Sequence, residues 1–538
     1  MSQYSQVSRR VFLKAAAYSG VAATVAPYRR RSGAEDDPSL SCDTFVYGST
    51  PGGIAAAVEA ARQGERVILA CPKANLGGMS ASGLCTTDAV RRNLFGGLVL
   101  EFIQGVRERY RDALGGNEKQ LALTRDGWHY EPSIAEAVFR DLIEKEERIT
   151  WIPSVWLQEC ALAGRHIRSV SLEPVDAANA HPSVTITART FIDGTYEGDL
   201  AAKAGVDYRV GREARDEFGE TKAGIHYMNW RTGQQIMTPD TGEPSEAIQA
   251  FCARSIFTND PRHLIPIEKP DSYELHLQDL LPLAEDFRSG RLRGWGRGTE
   301  LPGSKYQMNG SITGLTSTNC PGVNWGYPEA GRAHRRRLDE FHRDHAASLI
   351  WFLQHDSAVP DDVRTYMQGI GLHDEEFVDN GHWPWQLYVR QGRRIVGRAI
   401  LTQRSFTPDP ATGMTPRVDG AIAMGEHSFD VHPCHDRRFQ VDGFMEGVLW
   451  YPQKADGPAQ PGQIPYDAML PKTLDNLIVP VAMSSTHVAM SVLRMEPVWM
   501  TTGQVAGLAA ATARQQSLDA AEIDPNPLPL KLGIQTQP

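Results

Sequence analysis

The sequence has neither an excess of basic residues nor a long hydrophobic segment. Its 538 residues include 55 Lys and Arg against 65 Asp and Glu, which gives a formal net charge of −10 at pH 7. A chain of this charge lacks the basic surface that holds nucleic-acid phosphates, so no nucleic-acid partner is expected. The mostly apolar run 15–26 is shorter than the roughly 20 residues of a membrane-spanning helix, and no later segment approaches that length. No stable membrane span is therefore predicted.

Cysteine is scarce and widely spaced, with no two of the seven residues closer than 14 positions. The seven are Cys42, Cys71, Cys85, Cys160, Cys252, Cys320 and Cys434. This spacing lacks the close pairs of zinc sites and the clustered ligands of iron–sulfur centres, so no metal centre is predicted. Because seven is odd, at least one thiol stays unpaired, and most are expected to be small buried hydrophobes.

Internal repeats and long low-complexity segments are also missing. Hydrophobic residues make up 41% of the chain and charged residues 22%, an ordinary globular composition that excludes disorder. At roughly 150 residues per domain, the length allows more than one domain with a deep core.

The N-terminus contains an Arg9-Arg10 pair, a Val-Phe-Leu-Lys stretch and then the apolar run 15–26. This order is typical of a twin-arginine export signal, and the alternative is a chance arginine pair before a buried helix. We predict that residues 1–26 are a signal peptide and that the twin-arginine translocase is a partner during export. The predicted location is periplasmic or otherwise extracytoplasmic. Because this route moves folded proteins, it favours an enzyme that acquires its cofactor before export.

The segment 44–70 has the order strand, glycine-rich turn, helix and second strand. Thr44–Tyr47 is a short apolar strand, 54–63 is an Ala-rich helix ended by Gly64, and 66–70 is the next strand. Such a turn brings backbone N–H groups to a pyrophosphate at a helix N-terminus. The candidate cofactor-binding residues of the turn are Gly48, Thr50, Pro51, Gly52 and Gly53.

The turn departs from the dinucleotide-binding pattern G-x-G-x-x-G at two places. Thr50 occupies the second glycine position, and Cys71 stands where an acidic residue usually binds the ribose. Cys71 is therefore a candidate cofactor-binding residue by position only. A plain structural turn is the alternative interpretation.

Several segments together resemble a family of FAD-dependent oxidoreductases that opens with a Gly-x-Thr-Pro-x-Gly turn. The similar segments are GSTPGGIAAA at 48–57, LGGMSASGL at 76–84, FIDGTYEGDL at 191–200, YVRQGRRIVG at 388–397, and SSTHVA at 484–489 with RMEP at 494–497. This family is related to heterodisulfide-reductase-like and fumarate-reductase-like flavoproteins. The likeness spans nearly the whole chain after the signal.

The resemblance implies an α/β fold, in which a discontinuous Rossmann-like FAD-binding domain carries an inserted α+β substrate or cap domain. It implies FAD as the cofactor, and threonine is usual in this family at the second glycine position. The predicted boundaries are 1–26 for the signal peptide, 42–210 and 386–515 for the two parts of the FAD-binding domain, 211–385 for the substrate or cap domain, and 525–538 for an extended tail.

A second glycine pair is predicted to lie at the flavin or its pyrophosphate. The Gly77-Gly78 turn lets the backbone approach the cofactor, and Met79 and Ser82 follow in the same segment. All four are candidate cofactor-binding residues. A bare loop role for the serine is the alternative.

Two acidic residues follow the predicted strand that ends near Ile192. α/β sheets present ligand-binding residues at the end of such strands, so Asp193 and Glu197 are candidate cofactor-binding residues. Helix capping by Asp193 or Thr195 is the alternative.

The C-terminal segment is predicted to complete the flavin site. Residues 476–481 form a strand, Ser485 lies in the polar turn after it, and a helix starts near Glu496. The N-terminus of that helix would stabilise the negative charge of reduced flavin. His487 and Arg494 are candidate catalytic residues beside the isoalloxazine, Ser485 is a candidate cofactor-binding residue, and a structural role for the histidine is the alternative.

Two arginines are candidate cofactor-binding residues in an apolar context. Arg390 and Arg394 lie in a run that also contains 395–396, so some arginines of this run must face inward. A guanidinium fork suits the cofactor pyrophosphate or a substrate carboxylate, and a solvated face is the alternative. The basic stretch 334–337 is expected to be a solvated helix face.

His432 is a candidate catalytic residue in the segment 425–435, which also contains other histidines and a cysteine. The spacing matches no standard zinc pattern, so we interpret His432 as an acid/base residue of the substrate site. A metal at this segment is not expected.

The leading hypothesis is an exported FAD-dependent oxidoreductase that transfers a hydride from a small organic substrate to the flavin. A carbohydrate-like substrate is one option, because the predicted cap is rich in tryptophan, and the acceptor that reoxidises the flavin is unknown. Two alternatives are an NAD(P)-dependent dehydrogenase that uses the same turn and a flavin-free binding protein that retains the fold.

Overall fold

The computed structural model describes residues 39–175, 183–229, 234–236, 241–290, 292, 298–307, 317–435, 444–449 and 460–537. The predicted signal peptide, residues 1–26, lies outside these described residues. The strands and helices below are those of the described parts of the chain.

Twenty-one short strands are present in the described residues. In chain order they are β1 Ser39–Ser41, β2 Thr44–Tyr47, β3 Val67–Ala70, β4 Ile149–Ile152, β5 Val155–Ala163, β6 His166–Pro174, β7 Val184–Thr187, β8 Thr190–Asp193, β9 Tyr208–Arg209, β10 Tyr227–Asn229, β11 Gln234–Ile236, β12 Ile256–Thr258, β13 Leu264–Ile265, β14 Glu300–Leu301, β15 Lys305–Gln307, β16 Gly371–His373, β17 Arg394–Ile395, β18 Ala421–Gly425, β19 Phe444–Glu446, β20 Gly462–Pro465 and β21 Leu477–Ile478.

Twelve α-helices accompany them within the same described ranges. They are α1 Pro51–Arg62, α2 Gly97–Leu114, α3 Glu118–Leu123, α4 Pro132–Glu144, α5 Asp199–Lys203, α6 Arg215–Phe218, α7 Tyr273–Arg288, α8 Arg332–His355, α9 Asp361–Gln368, α10 His487–Leu493, α11 Glu496–Gln516 and α12 Pro527–Leu532. No helix among the described residues is long and apolar enough to cross a membrane.

Five parallel strands form the central sheet in the order β21-β8-β2-β3-β4. Tyr47 pairs with Ala70 of β3 and with Asp193 of β8, so these three strands end at the same edge. β2, β3 and β8 are buried along their whole length, as expected for parallel strands covered on both faces. The strand β21 comes from the C-terminal part of the chain, which therefore returns to the first sheet. The predicted Rossmann-like α/β fold is confirmed.

Helices α1 and α11 lie against each other at the carboxyl edge of this sheet. A Cβ on Gly503 would lie 2.0 Å from the carbonyl oxygen of Gly52, and a Cβ on Gly507 would lie 2.3 Å from that of Ala56. Glycine is required at both positions because the two helix backbones meet there. The contact fixes the N-terminus of α11 beside the turn that precedes α1.

The middle of the chain forms its own antiparallel sheet, in the order β13-β16-β12-β15-β14, with α7, α8 and α9 beside it. A further sheet has four strands in the order β1-β7-β6-β5 and flanks the central sheet. The three small sheets are β11-β10-β19, β17-β9 and β18-β20. In the first two, the C-terminal strands β19 and β17 pair with the earlier strands β10 and β9. The predicted domain boundaries remain predictions.

Helix α8 contacts the start of α5, the helix that follows β8, through a buried ion pair. Arg335 donates to both carboxylate oxygens of Asp199, at 2.6 and 2.7 Å, and its side chain also lies over Tyr327. The expectation of a solvated face holds for the neighbours of Arg335 in 334–337 but is wrong for Arg335, which is buried. Its partner lies 136 positions earlier, so no local pattern could reveal the pair.

A second buried ion cluster ties the middle sheet to α4. Lys305 Nζ lies 2.9 Å from Glu376 Oε1, 3.2 Å from Glu375 Oε2 and 3.4 Å from Glu131 Oε2. Glu376 also accepts from the backbone N–H and hydroxyl of Ser133 in the first turn of α4. The cluster therefore holds three separate segments together.

The C-terminal segment is not extended along its whole length, contrary to the prediction. Helix α12 begins at Pro527 and ends at Leu532, and Leu528 and Ile534 are buried. Proline is tolerated in the first turn of a helix, because the N–H that it lacks has no partner there anyway. The prolines therefore mark the start of a short helix.

Candidate active site

The turn between β2 and α1 brings backbone from two strand ends together. Gly48 has φ +114°, and a Cβ on Gly53 would lie only 1.9 Å from the carbonyl oxygen of Gly48. Thr50 caps α1, because its hydroxyl accepts from the N–H of Gly53 at 3.1 Å and donates to the carbonyl of Gly194 at 2.6 Å. The first turn of α1 contains no acidic residue. The turn therefore presents the positive end of a 12-residue helix with nothing nearby on that turn to repel a phosphate.

Asp193 stabilises the backbone beside this turn. Its buried carboxylate accepts from the N–H and hydroxyl of Thr195, at 3.0 and 2.6 Å, and from the N–H of Ala201 at 2.9 Å. Burial raises the pKa of Asp193 to about 6, although these hydrogen bonds oppose the shift. The geometry matches the capping alternative for Asp193, since all three donors belong to the chain itself.

Two further candidates, Glu197 and Cys71, are partly buried and buried, respectively. Glu197 is partly buried, its carbonyl oxygen accepts from the Arg393 guanidinium at 3.1 Å, and burial raises its pKa. The Cys71 thiol is buried and accepts from the Ser49 hydroxyl at 3.0 Å. Burial raises the pKa of Cys71, so the thiol is neutral and cannot replace a ribose-binding carboxylate.

The Gly77–Ser82 segment lies against the same turn. Gly77 donates from its N–H to the carbonyl of Ser49 at 2.9 Å, and its φ of +95° suits glycine. A Cβ on Gly78 would lie 2.3 Å from the Tyr196 hydroxyl, which accepts from the N–H of Met79 at 2.9 Å. Ser82 is buried and donates from its N–H to the carbonyl of Met79.

Glu496 occupies the first position of α11 and bonds the same tyrosine. The Tyr196 hydroxyl donates to Glu496 Oε1 at 2.6 Å, while Glu496 Oε2 is buried without a partner. Burial raises the pKa of Glu496 to about 8, so the carboxyl is protonated at neutral pH. From the sequence, Glu496 is predicted only as the start of a helix.

Three arginines surround the ring of Tyr388. The guanidinium carbons of Arg254 and Arg390 lie 4.4 Å from the ring centroid, and that of Arg494 lies 5.6 Å away. Arg494 donates to the Tyr388 hydroxyl at 2.7 Å and to Asp430 Oδ2 at 2.7 Å. We call these residues, with Cys252 and His432, the Tyr388 cluster. The cluster contains three of the residues predicted from the sequence, which are Arg390, Arg494 and His432. Of these, Arg494 lies two positions before Glu496, the first residue of α11.

His432 is buried within the cluster. Its Nδ1 lies 2.9 Å from the side-chain amide of Asn319, and its Nε2 lies 3.9 Å from Asp430 Oδ1. Burial lowers the pKa of His432 well below its usual range, and Arg390 and Arg494 lower it further. The imidazole is therefore neutral and held between an amide and a carboxylate.

His487 and Arg394 form a separate group around Glu213. Glu213 accepts from Arg394 at 2.6 Å and from the backbone N–H of His487 at 2.7 Å, and Arg394 also donates to the carbonyl of Ser485. His487 Nδ1 bonds Gln391 Oε1 at 2.7 Å, and its Nε2 is buried without a partner. Burial lowers the pKa of His487 well below its usual range. The structure therefore does not place His487 and Arg494 in one hydrogen-bonded group.

One set of three side chains among the described residues could supply ligands to a metal ion. His263, His373 and Asp374 have ligand atoms within 4.8 Å of one another. The backbone N–H of Glu375 donates to His373 Nδ1 at 3.2 Å, and Asp374 Oδ1 lies 2.9 Å from His263 Nδ1. These hydrogen bonds use one nitrogen of each histidine and one oxygen of the carboxylate. The predicted absence of a metal centre remains a prediction.

The residues fit FAD at two positions and fail to fit it at a third. Backbone at Gly48–Gly53 and the N-terminus of α1 would hold the pyrophosphate, because the turn is closed by glycines and its helix end is positive. The N-terminus of α11, with its buried and unpartnered Glu496 Oε2, suits the polar edge of the ring system. The neutral thiol of Cys71 does not fit the usual ribose contact.

The family model described as FAD dependent oxidoreductase matches residues 43–532, most of the chain. Curated proteins include no significant match. The family match favours FAD over the NAD(P) and flavin-free alternatives. The relationship to heterodisulfide-reductase-like and fumarate-reductase-like proteins remains a prediction.

Solved structures that are similar to parts of the chain include two that are described as dehydrogenases. L-proline dehydrogenase from P. horikoshii is 17% identical over 35% of this chain and 28% of its own, with a TM-score of 0.19. THI4 from Thermovibrio ammonificans is 19% identical over 32% and 66%, with a TM-score of 0.21. A flavoprotein/dehydrogenase from Cytophaga hutchinsonii is 12% identical over 44% and 48%, with a TM-score of 0.22. Each match covers less than two thirds of the solved chain, and no substrate follows from such low similarity.

Proposed function

Because this chain belongs to the family of FAD-dependent oxidoreductases, we propose that it transfers a hydride from a small organic substrate to the flavin. We also propose that it does so after export from the cytoplasm. The observation that carries this proposal is the Tyr388 cluster, in which His432 lies near Asp430, the partner of Arg494, and Arg494 lies two positions before the first residue of α11. A cation and a proton-exchanging group beside the ring system are what hydride transfer from an alcohol requires.

Bound FAD supplies the two-electron acceptor. Oxidation of a substrate alcohol breaks the C–H bond, whose electron pair leaves as hydride, and the O–H bond, whose proton goes to His432 Nε2. The C–O bond then becomes C=O. Asp430 Oδ1, 3.9 Å from that nitrogen, stabilises the imidazolium that forms. The Asn319 amide can present a donor or an acceptor to Nδ1, so it supports either protonation state.

The Tyr388 hydroxyl and Arg494 would orient the substrate oxygen. Arg494 is itself fixed by Asp430 and Tyr388, both at 2.7 Å, so its position is set before substrate binds. Trp325 lies close by, because its indole N–H donates to the carbonyl of Cys434, two residues after His432. An aromatic face near the reacting group suits a carbohydrate-like substrate. The segment 211–385, which contains Trp325, would serve as the substrate or cap domain.

The first test is the visible absorption spectrum of the protein purified without residues 1–26, before and after acid precipitation. Flavin bands in the supernatant support bound, non-covalent FAD, and bands in the pellet mean a covalent link. A colourless protein that fails to take up FAD would overturn the proposal. Anaerobic bleaching of the bands by small alcohols, sugars or acids then tests hydride transfer.

The role of His432 is tested by His432→Gln. We expect the rate of flavin reduction to fall by about 10²–10⁴-fold, the usual contribution of a general base, while the flavin content is unchanged. His334→Gln is the control, because His334 is exposed on α8. Equal rates in the two variants would contradict the role of His432.

Export by the twin-arginine route rests on the sequence of residues 1–26 and is tested separately. We expect Arg9→Lys with Arg10→Lys to keep the folded flavoprotein in the cytoplasm of a host that has the translocase. Unchanged export of the double variant would show that another route is used.

A further inference from the structure

The Tyr388 cluster contains more positive charge than its contacts among the described residues balance. Arg390 is fully buried, and within the described part of the chain it forms no salt bridge. Its guanidinium donates to the carbonyl oxygen of Ala250 and to Cys252 Sγ, and its Nε has no partner. Arg494, 2% exposed, has Asp430 as its counterion but also retains an unpartnered Nε. Among the described residues, these two buried arginines therefore each have one donor without a partner.

The positive charge of the cluster shifts the pKa values of two neighbouring groups. Burial alone would raise the pKa of the Cys252 thiol, but Arg390 and Arg254 outweigh burial and lower it. Burial lowers the pKa of His432, and Arg390, Arg494 and Arg254 all shift it in the same direction. The positive charge that lowers the pKa of this thiol would also favour another anion beside these arginines.

A buried guanidinium without a carboxylate costs several kcal/mol, so proteins rarely keep one unless a ligand balances it. The planar guanidinium fork matches the two oxygens of a carboxylate. The Asp430 side chain is 20% exposed, so the cluster reaches solvent at this residue.

We propose that the Tyr388 cluster binds a carboxylate of the substrate, so that the enzyme oxidises a hydroxy acid, such as a sugar acid, and not a neutral sugar. This inference rests on the proposed function, since it names the substrate class of the same site. The carboxylate would lie on Arg390 and Arg494, and the adjacent hydroxyl carbon would lie toward His432. Arg390 and Arg494 thus select the substrate, and His432 exchanges the proton of the substrate hydroxyl group.

Binding is measured on the oxidised holoenzyme by titrating the flavin absorption with oxalate. Oxalate has no C–H bond, so it binds without reducing the flavin, and chloride at equal ionic strength is the blank. We expect a saturable spectral change, and we expect Arg390→Gln to raise the Kd for oxalate by at least about tenfold. Arg165→Gln is the matched control, because Arg165 is exposed and pairs with Asp475. Arg390→Lys, which keeps the charge but loses the fork, is expected to lie between them.

Asp430→Asn provides a second test that does not depend on the folding of the Arg390 variants. Removing the counterion of Arg494 makes the cluster more positive, so we expect oxalate to bind more tightly than in the wild type. No saturable response to oxalate, or an unchanged Kd in both Arg390→Gln and Asp430→Asn, would overturn the inference. Loss of oxalate binding in Asp430→Asn would overturn it as well.

Substrate oxidation separates failure of this inference from failure of the proposed function. D-gluconate and D-glucose are compared as anaerobic reductants of the flavin, because they share a carbon skeleton and differ in the carboxylate. Faster reduction by gluconate supports the inference. Reduction by glucose without any oxalate binding overturns the inference and keeps hydride transfer, and in that case the cluster serves the negative charge of reduced flavin. Oxalate binding without reduction by any alcohol overturns hydride transfer and keeps the anion site.

Discussion

The turn at Gly48–Gly53 and the Tyr388 cluster differ in how their polar groups are satisfied. At the turn, Thr50 and Asp193 bond backbone groups of the chain itself, and glycines let the strands and helix meet. In the cluster, buried arginines retain donors without partners. The turn can therefore hold a ligand through its backbone and through the positive end of α1. The cluster instead contains positive charge that its contacts among the described residues do not balance. We therefore propose that backbone groups hold the cofactor at the turn and that side chains hold the substrate in the cluster.

The largest effect is expected from Gly53→Ala at the turn. Its Cβ would lie 1.9 Å from the carbonyl oxygen of Gly48, and neither backbone can move without opening the β2–α1 contact. We expect a loss of about 3 kcal/mol or more in the free energy of unfolding, together with loss of bound flavin. Flavin absorbance per chain and urea denaturation measure both. Gly116→Ala is the control, because its Cβ meets no atom within 4 Å, and a Gly53→Ala protein with full flavin content would contradict the role of the turn.

Asp430→Asn is expected to have the next largest effect, through the charge of the cluster. Arg494 keeps the Tyr388 hydroxyl but loses its carboxylate partner at 2.7 Å. Leaving a buried cation without its counterion costs about 3 kcal/mol in the free energy of unfolding. Urea denaturation measures the loss against Asp112→Asn, which makes the same charge change at an exposed position of α2. Equal stability of the two variants would mean that another group balances Arg494.

Asp193→Asn tests whether the acidic residue beside the turn is structural. The asparagine side chain has only one oxygen that can accept, because its other terminal group is an NH₂ donor. A donor such as the N–H of Ala201 therefore loses its partner. We expect a loss of about 2 kcal/mol in the free energy of unfolding, the cost of one buried and unsatisfied group. Thermal unfolding measures it, again with Asp112→Asn as the control. A variant as stable as that control, but with weakened flavin binding, would instead assign Asp193 to the cofactor.

At pH 5, Glu496→Gln is expected to have the smallest effect, and this effect changes as the pH rises. Burial raises the pKa of Glu496 from its ordinary 4.5 to about 8, so between these values the folded state keeps a proton that the unfolded state has lost. Wild-type stability is therefore lost as the pH rises through this window, by at most about 1.4 kcal/mol per pH unit for this proton. Glutamine cannot titrate, so the variant gains on the wild type from about pH 5 to about pH 8.

Urea denaturation of both proteins across that range measures the difference. Glu144→Gln, on the exposed face of α4, is the control and should show no such trend. A constant difference between the Glu496→Gln and wild-type proteins would mean that Glu496 is already ionised in the folded state.

The turn and the central sheet could be predicted from sequence because their signals are local. The glycines at 48 and 53 and the apolar strands around them lie within one short segment, and their spacing is set by backbone geometry. The helix starting at Glu496 could be predicted for the same reason. The middle of the chain has no clear alternation of strand and helix signals, so its five-stranded sheet could not be predicted.

The Tyr388 cluster could be predicted only in part. The sequence singles out Arg390, Arg494 and His432, but it assigns no role to Tyr388 or Arg254. These five residues come from four separate stretches of the chain, so no spacing relates them. Arg335 shows the same limit, because its buried partner Asp199 lies on another element.

The sequence by itself determined the family, the nucleotide-binding turn and the parallel sheet. These depend on glycine placement and hydrophobic pattern, which act over a few residues. Only the tertiary structure decided which arginines are buried, which of them have a counterion and which keep a free donor. Burial and charge pairing depend on residues that are distant in the chain, and the free energy of an ion is set by the groups that surround it.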